Sequence, residues 1–161
     1  MKTLIITRHG KTVQGSPDIS RKLTERGFKD IKLIASELQK YDLIPDLIIS
    51  SPAIRALETA NQVSEYFHDR NIPIITKDYM YPGYLNDIFD FIPGYFSPTK
   101  NIVMIVGHNP SLEILIKKLT DEEVKLSTSG TAVIDFSIEK WNEPSKTKGK
   151  LRKVFIPKEL K

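Results

Sequence analysis

Three short apolar runs in this chain each end abruptly in a polar cluster. Leu4-Ile5-Ile6-Thr7 runs into Arg8-His9-Gly10, and Leu47-Ile48-Ile49 runs into Ser50-Ser51-Pro52 with Arg55 close behind. Ile102 to Val106, five apolar residues in a row, runs into Gly107-His108-Asn109-Pro110. Runs this short fit strands buried on both faces, and each is followed by a helical pattern. Alternation of that kind predicts an α/β layer fold. If the three strands are parallel, their polar clusters share one carboxyl edge, where open α/β sheets bind ligands.

The intervening segments fill in the layers. Thr24 to Gln39 is predicted as a helix, with Thr24 as N-cap and Phe28, Ile31, Ala35 and Leu38 on one face. Ile54 to His68 is predicted as a second, carrying Leu57, Ala60, Val63 and Phe67, and Ser111 to Leu119 as a third. Ile72 to Thr76 reads as a short strand whose proline places it at a sheet edge. Tyr79 to Pro98 is irregular, with one helix expected around Leu85 to Phe91. Thr131 to Ile138 alternates as a half-exposed strand, and Leu151 to Ile156 is placed to pair with it.

Composition narrows the chemistry. At 161 residues the chain is expected to form a single domain over 1–161, and its 40% apolar and 27% charged residues fit a globular protein. It has no cysteine, which removes disulfides, thiolate nucleophiles, Fe–S clusters and cysteine zinc sites. Its three histidines are widely separated, so no metal and no cofactor are expected. The apolar run after Met1-Lys2 is too short for a signal sequence or a membrane span, so a cytoplasmic location without membrane attachment is expected. The net charge is +4, with Lys140, Lys146, Lys148, Lys150, Arg152 and Lys153 set against Glu143. That run reads as a solvated hairpin edge or as a docking surface for an acidic partner. Nucleic acid is not expected, because no basic platform interleaved with aromatics appears.

The three clusters supply what phosphoryl transfer requires: fixed cations and N–H donors around an anion. Arg8 and Arg55 each offer a planar fork to phosphate oxygens. His9 has the chemistry of a nucleophile at one ring nitrogen, with a main-chain carbonyl fixing the tautomer at the other. Gly10 allows the backbone close to the phosphate. His108, at a strand-to-helix turn, is a donor to the oxygens of the transition state. Each has an ordinary reading as well: a core histidine, a surface ion pair, an Arg55–Glu58 bridge, a turn glycine. Their convergence on three strand ends makes coincidence a poor account. His68, late in a helix beside Asp69 and Arg70, reads as a surface residue.

These residues carry a family resemblance. Arg8-His9-Gly10, Ser50 to Ala60 with its Ser-Pro-x-x-Arg, and Gly107-His108-Asn109-Pro110 resemble the three motifs of the histidine phosphatase superfamily, the phosphoglycerate mutase-like group. The chain is similar in particular to the small SixA-type phosphohistidine phosphatases. Arg21-Lys22-Leu23-Thr24-Glu25-Arg26-Gly27 resembles their Arg-Pro-Leu-Thr stretch, with Lys22 in place of proline. Met80-Tyr81, Ser129-Gly130-Thr131-Ala132 and Pro157-Lys158-Glu159-Leu160 resemble further segments of theirs.

The resemblance implies a three-layer αβα sandwich with a mostly parallel central sheet. It implies a phosphoenzyme on His9, with Arg8, Arg55 and His108 forming the phosphate pocket, Gly10 and Asn109 contributing to phosphate binding, and Arg21 and Tyr81 at the rim. For Arg21, a loop ion pair with Asp18 is the competing expectation. Mutase-type relatives carry an acidic proton donor in an insertion after the third strand. Here that stretch is short, and Asp78, Asp87 and Asp90 have no evident position over a leaving group. Alkoxide departure needs protonation, whereas an imidazole that already holds a proton leaves without it. The favoured substrate is therefore phosphohistidine on a phosphotransfer or signalling protein. A small phosphomonoester such as a sugar or nucleotide phosphate is the alternative. A non-catalytic module recognising phosphorylated partners is a third reading, and mutase activity the least favoured.

Overall fold

The apolar runs become the strands of one mixed sheet. In the computed structural model, which describes residues 1–82, 99–141 and 148–161, these are β1 (Lys2–Arg8), β2 (Leu47–Ser50), β3 (Ile74–Thr76), β4 (Ile102–Gly107), β5 (Thr131–Phe136) and β6 (Lys150–Phe155). They lie in the order β3-β2-β4-β1-β5-β6. The first four are mutually parallel, while β5 and β6 add antiparallel pairs on the β1 side. The edge position expected for the proline-led strand holds, although the strand begins at Ile74, after Pro73.

Alternate residues feed two cores, as the pleat requires. Leu4, Ile6, Leu47, Ile49, Val103 and Ile105 face α3 (Ser111–Thr120), which contributes Leu112, Leu115, Ile116 and Leu119. Ile5, Ile48, Met104 and Val106 face α1 (Glu25–Lys40) and α2 (Ile54–Tyr66) through Ile31, Ile34, Ala35, Leu38, Ala56, Ala60 and Val63. The result is helix, sheet and helix in three layers. Each fully buried aliphatic side chain contributes about 1.5–3 kcal/mol, so the two faces together fix the sheet that carries the polar edge.

Two expectations change. β5 is buried along nearly its whole length rather than half-exposed, because β6 flanks it and both sheet faces are covered. In α2 the inward position is Ala56 rather than Leu57, with Arg55 and Thr59 buried beside it. The expected helix around Leu85 to Phe91 lies outside the described residues, as does Lys146. Of the other basic residues, Lys148 donates to Lys118 O and Asp121, Arg152 pairs with Asp135, and Lys153 lies over Tyr41 and Phe155. Among the described residues no helix is long and apolar enough to cross a membrane.

The loop leaving β1 is clamped to the start of α1. Thr24 caps the helix, its Oγ1 accepting from Gly27 N–H at 3.0 Å, and donates to Lys11 O at 3.2 Å. Gly27 sits so close to this loop that a Cβ there would lie 2.5 Å from Lys11 O. Replacing a helical glycine by alanine normally gains about 1 kcal/mol, whereas overpacking against fixed backbone costs about 1–3 kcal/mol. We therefore expect Gly27→Ala to be destabilising in urea unfolding. A variant more stable than the parent would show that the Lys11 loop yields freely and that the clamp is weak.

Candidate active site

Strand register sets the site. Arg8 is paired with Gly107 across β1 and β4, so His9 and His108 leave the sheet as neighbours. Ser50 is paired with Val106 across β2 and β4, which brings Ser51 to the same edge. His9 N–H donates to Gly107 O at 3.1 Å and Ser51 N–H to Val106 O at 3.0 Å, extending the ladder by one step on each side. Both α2 and α3 start at this edge without a side-chain cap, unlike α1. Their N-termini add a positive field there.

His9 is 9% exposed, and its Nδ1 lies 2.8 Å from Gly10 O. A carbonyl only accepts, so Nδ1 carries the proton and Nε2 keeps its lone pair. Burial, opposed by the Gly10 hydrogen bond but reinforced by the Arg55, Arg8 and Arg21 charges, lowers its pKa to about 4. The imidazole is therefore neutral at pH 7, with a free basic nitrogen among guanidiniums. Gly10 N–H donates to Thr59 Oγ1, which donates to Arg55 O at 2.7 Å, tying the β1 loop to the turn that carries Arg55. Space for a side chain at Gly10 is already taken by Leu23, Gly27 O and Ser129 Oγ, at 3.1–3.2 Å from an added Cβ. A side chain here would have to push these neighbours back by a few tenths of an ångström.

His108, 6% exposed, lies with its ring centre 5.3 Å from that of His9. Its Nε2 is 2.7 Å from Ser51 Oγ, and its Nδ1 is buried with no partner among the described residues. Burial, with the neighbouring His9 and Arg55, lowers its pKa to about 3. Arg8 donates from Nη1 to Leu126 O at 3.1 Å, and its Nε is buried without a partner. Such orphaned groups are uncommon, and here they cluster at one edge of one sheet.

Asn109 is placed differently from the sequence expectation. Its Nδ2 donates to Glu113 Oε2 at 3.0 Å and to Leu126 O at 2.9 Å, so both amide hydrogens are in use and none is left for phosphate. Glu113 also accepts from Leu126 N–H, and Leu126 O receives Arg8. Asn109 and Glu113 thus hold the carbonyl that aims Arg8.

Asp18 organises the rim. Arg55 Nη1 donates to Asp18 O at 2.8 Å and Nη2 to Asp18 Oδ2 at 3.0 Å. Arg21 donates to Asp18 Oδ1 at 3.0 Å, to Val13 O and to Thr12 Oγ1, and Tyr81 donates its hydroxyl proton to Asp18 Oδ2. These bonds hold the Asp18 carboxyl well below the usual carboxylate range, the Tyr81 bond most strongly. Tyr81 also packs edge-on to His108 and under the Arg55 guanidinium. Arg21 and Tyr81 meet at Asp18, and for Arg21 the loop ion pair with Asp18 that competed with a rim role is formed. The Arg55–Glu58 bridge is not the one formed, since Glu58 accepts from Leu23 N–H. Asp78 and His68 are exposed. Among the described residues no group of three or more His, Asp or Glu side chains is arranged to hold a metal ion.

The sequence patterns do not single out Ser51, Thr59, Glu113 or Asp18's hold on Arg55 as site features. Ser51 and Thr59 lie inside the second motif, and Asp18 is three residues from Arg21, so their positions carried a signal. Their partners, set by the sheet, did not.

Residues 4–80 match the sequence profile of the histidine phosphatase superfamily (branch 1), a span holding His9 and Arg55. A solved structure from Agrobacterium tumefaciens, named as a candidate phosphohistidine phosphatase SixA, is 27% identical with a TM-score of 0.81 over 97% of this chain and 98% of that one. The protein histidine phosphatase SixA in complex with tungstate superposes with a TM-score of 0.84 at 21% identity, covering 99% of each chain. A further candidate SixA, from Nakamurella multipartitia, reaches 0.86 at 19% identity, covering 97% of this chain and 96% of that one. The last two likenesses are of fold.

The two depressed imidazoles make stability depend on pH. In the unfolded chain both titrate near pH 6.5, and in the fold at about 4 and 3. As pH falls below 6.5 the unfolded chain takes up protons that the fold refuses, so stability declines towards pH 4. Asp18 acts in another window: its contribution is present above the ordinary carboxylate pKa and is lost only as pH falls further. Between pH 7 and 5, urea unfolding should show a larger loss for the parent than for His9→Gln/His108→Gln. Equal losses would mean that neither ring is buried in its neutral form.

Proposed function

The chain belongs to the histidine phosphatase superfamily, and from that premise we propose that it removes the phosphoryl group from phosphohistidine carried by a protein, through a phosphoenzyme on His9. The observation that carries this reading is the 2.8 Å contact between His9 Nδ1 and Gly10 O, which leaves Nε2 unprotonated and available for attack. Arg8, Arg55 and His108 surround the place where a phosphoryl group meets that nitrogen. They are the fixed cations and donors that phosphoryl transfer depends on.

In the first step Nε2 of His9 forms a bond to phosphorus as the substrate P–N bond breaks and the leaving imidazole takes the electron pair. Nδ1 keeps its proton on Gly10 O throughout. In the second step water forms the new P–O bond, the P–N bond to His9 breaks, and the proton of the water ends on the released phosphate. Neither step asks for a metal-bound nucleophile.

The choice of substrate rests on the proton inventory. Asp18 is the carboxyl group beside the pocket, and its ion pairs and the Tyr81 hydrogen bond keep it ionised. The Tyr81 proton is committed to Asp18. Asp78 is exposed, and Asp87 and Asp90 lie outside the described residues. Among the described residues an alkoxide finds no ready proton; an imidazole that already carries one does not need it. A cytoplasmic enzyme acting on phosphorylated signalling or phosphotransfer proteins fits this chemistry.

Hydrolysis of phosphohistidine, or of a phosphoramidate mimic, should be fast and that of an alkyl phosphate slow, with both lost in His9→Ala. Labelled phosphate should be trapped on His9, and His108→Ala or Arg55→Ala should cost roughly a hundredfold in rate. Phosphoenzyme formation should persist from pH 8 to 5 and fail as pH drops through about 4, where His9 Nε2 takes a proton. Equal turnover of alkyl phosphate and phosphoramidate would replace this reading with a small-molecule phosphomonoesterase. Binding of phosphate without any trapped label would replace it with a recognition module.

A further inference from the structure

Ser51 is fully buried between the end of β2 and the start of α2, and nothing in the reaction outlined above uses its side chain. Its Oγ has two partners at hydrogen-bond distance. Ala53 N–H donates to it at 3.2 Å, and His108 Nε2 lies 2.7 Å away. The first is a donor without ambiguity. The Ser51 hydroxyl has one proton, and among the described residues His108 Nε2 is the only acceptor within its reach. If Oγ accepted from Nε2 as well as from Ala53, its own proton would be buried without an acceptor among the described residues; every group is served when Ser51 O–H donates and Nε2 accepts. A neutral imidazole whose Nε2 accepts must carry its proton on Nδ1. That atom is buried and has no protein partner, and the ring stands 5.3 Å from that of His9.

We propose that Ser51 is the positioning residue that selects the tautomer of His108, so that a neutral ring presents its Nδ1–H to an oxygen of the transferring phosphoryl group. The inference rests on the phosphatase reading given above for what receives the hydrogen bond, but not for the tautomer itself. Neutrality of the ring follows from its surroundings. Burial disfavours a charge there most, followed by the His9 ring and by Arg55 in α2, with Arg8 at the end of β1 adding least; Asp18 opposes them, but its carboxylate is also bonded to Arg21, Arg55 and Tyr81. With the opposite tautomer, Nδ1 would turn a lone pair towards an anionic oxygen and would repel it. Ser51 thus decides whether His108 helps or hinders, and it does so from outside the pocket. By holding Ala53 N–H as well, the same oxygen ties the orientation of the ring to the turn that launches Arg55.

The test uses the small number of histidines. Long-range proton–nitrogen correlation on the full chain labelled with 15N-histidine at pH 7 contains three rings, assigned with the His108→Asn and His68→Asn variants. His108 should appear as the Nδ1–H tautomer in the parent. In Ser51→Ala it should shift to Nε2–H or to a mixture, while His9, held by Gly10 O, stays Nδ1–H as an internal control. Turnover of a phosphoramidate should fall about ten- to a hundredfold in kcat, short of the loss on removing His108 itself, with KM changed far less. An Nε2–H tautomer in the parent overturns the proposal without recourse to any variant, so it remains testable even where Ser51→Ala fails to fold. A shifted tautomer with unchanged kcat overturns the positioning role. A parent that is Nδ1–H at His108 yet forms no phosphoenzyme overturns the phosphatase reading and leaves the tautomer assignment standing.

Discussion

The parallel pairing of β1 with β4 is the constraint on which the rest of the site depends. Because Arg8 and Gly107 are in register, two histidines that are far apart in sequence emerge as neighbours, and a slip of one residue would turn one of them into the opposite layer. Registry is enforced by alternate side chains committed to different cores. Leu4 and Ile6 belong to the α3 side and Ile5 to the α1/α2 side, so displacement would expose one set and overcrowd the other. Apolar packing at the centre of the sheet thus sets the geometry of the polar edge.

That edge concentrates positive charge while keeping its imidazoles neutral. Burial and the surrounding guanidiniums depress both rings, and Asp18 supplies the counter-charge that lets Arg21 and Arg55 stand close together. The two effects are complementary. A protonated His9 would be a poor nucleophile, and unpaired arginines at the rim would repel one another. Each guanidinium nitrogen of Arg55 that donates to Asp18 retains a second hydrogen, so the pairing fixes the fork without exhausting it.

Much of the arrangement was legible in the sequence because buried strands announce themselves as short apolar runs, and the polar residues that follow them fall at the carboxyl edge by topology. Thr24 as a cap, Pro73 before an edge strand, and the convergence of Arg8, His9, Arg55 and His108 all follow from local rules. What was not legible depended on partners distant in sequence. The alternation in Thr131 to Ile138 reads as one exposed face, but the number of layers covering a strand is a property of the sheet, and β6 and the helices close over it. Asn109 reads as a phosphate ligand from its motif; only the fold shows Glu113 and Leu126 taking its hydrogens. Gly10 reads as a close approach for phosphate; the fold adds that Leu23, Gly27 and Ser129 crowd the place where a side chain would stand.

Residues whose contacts sequence reasoning did not give form a second ring around Arg8, His9, Arg55 and His108. Gly10 O and Thr59 serve His9, Leu126 O with Asn109 and Glu113 serves Arg8, Asp18 serves Arg55, and Ser51 serves His108. Each inner residue is thus held by its own acceptor or donor, that of His9 coming from the next residue and the others from segments distant in sequence. Phosphoryl transfer offers the protein little covalent work, so rate comes from donors that do not need to reorganise as charge shifts. On the reading proposed above, a site built in this way recognises the phosphoryl group and little of what carries it. Discrimination then falls to the leaving group: among the described residues the nearby carboxylate is held ionised and the nearby phenol proton is engaged, which is the basis for proposing departure as a neutral imidazole rather than as an alkoxide.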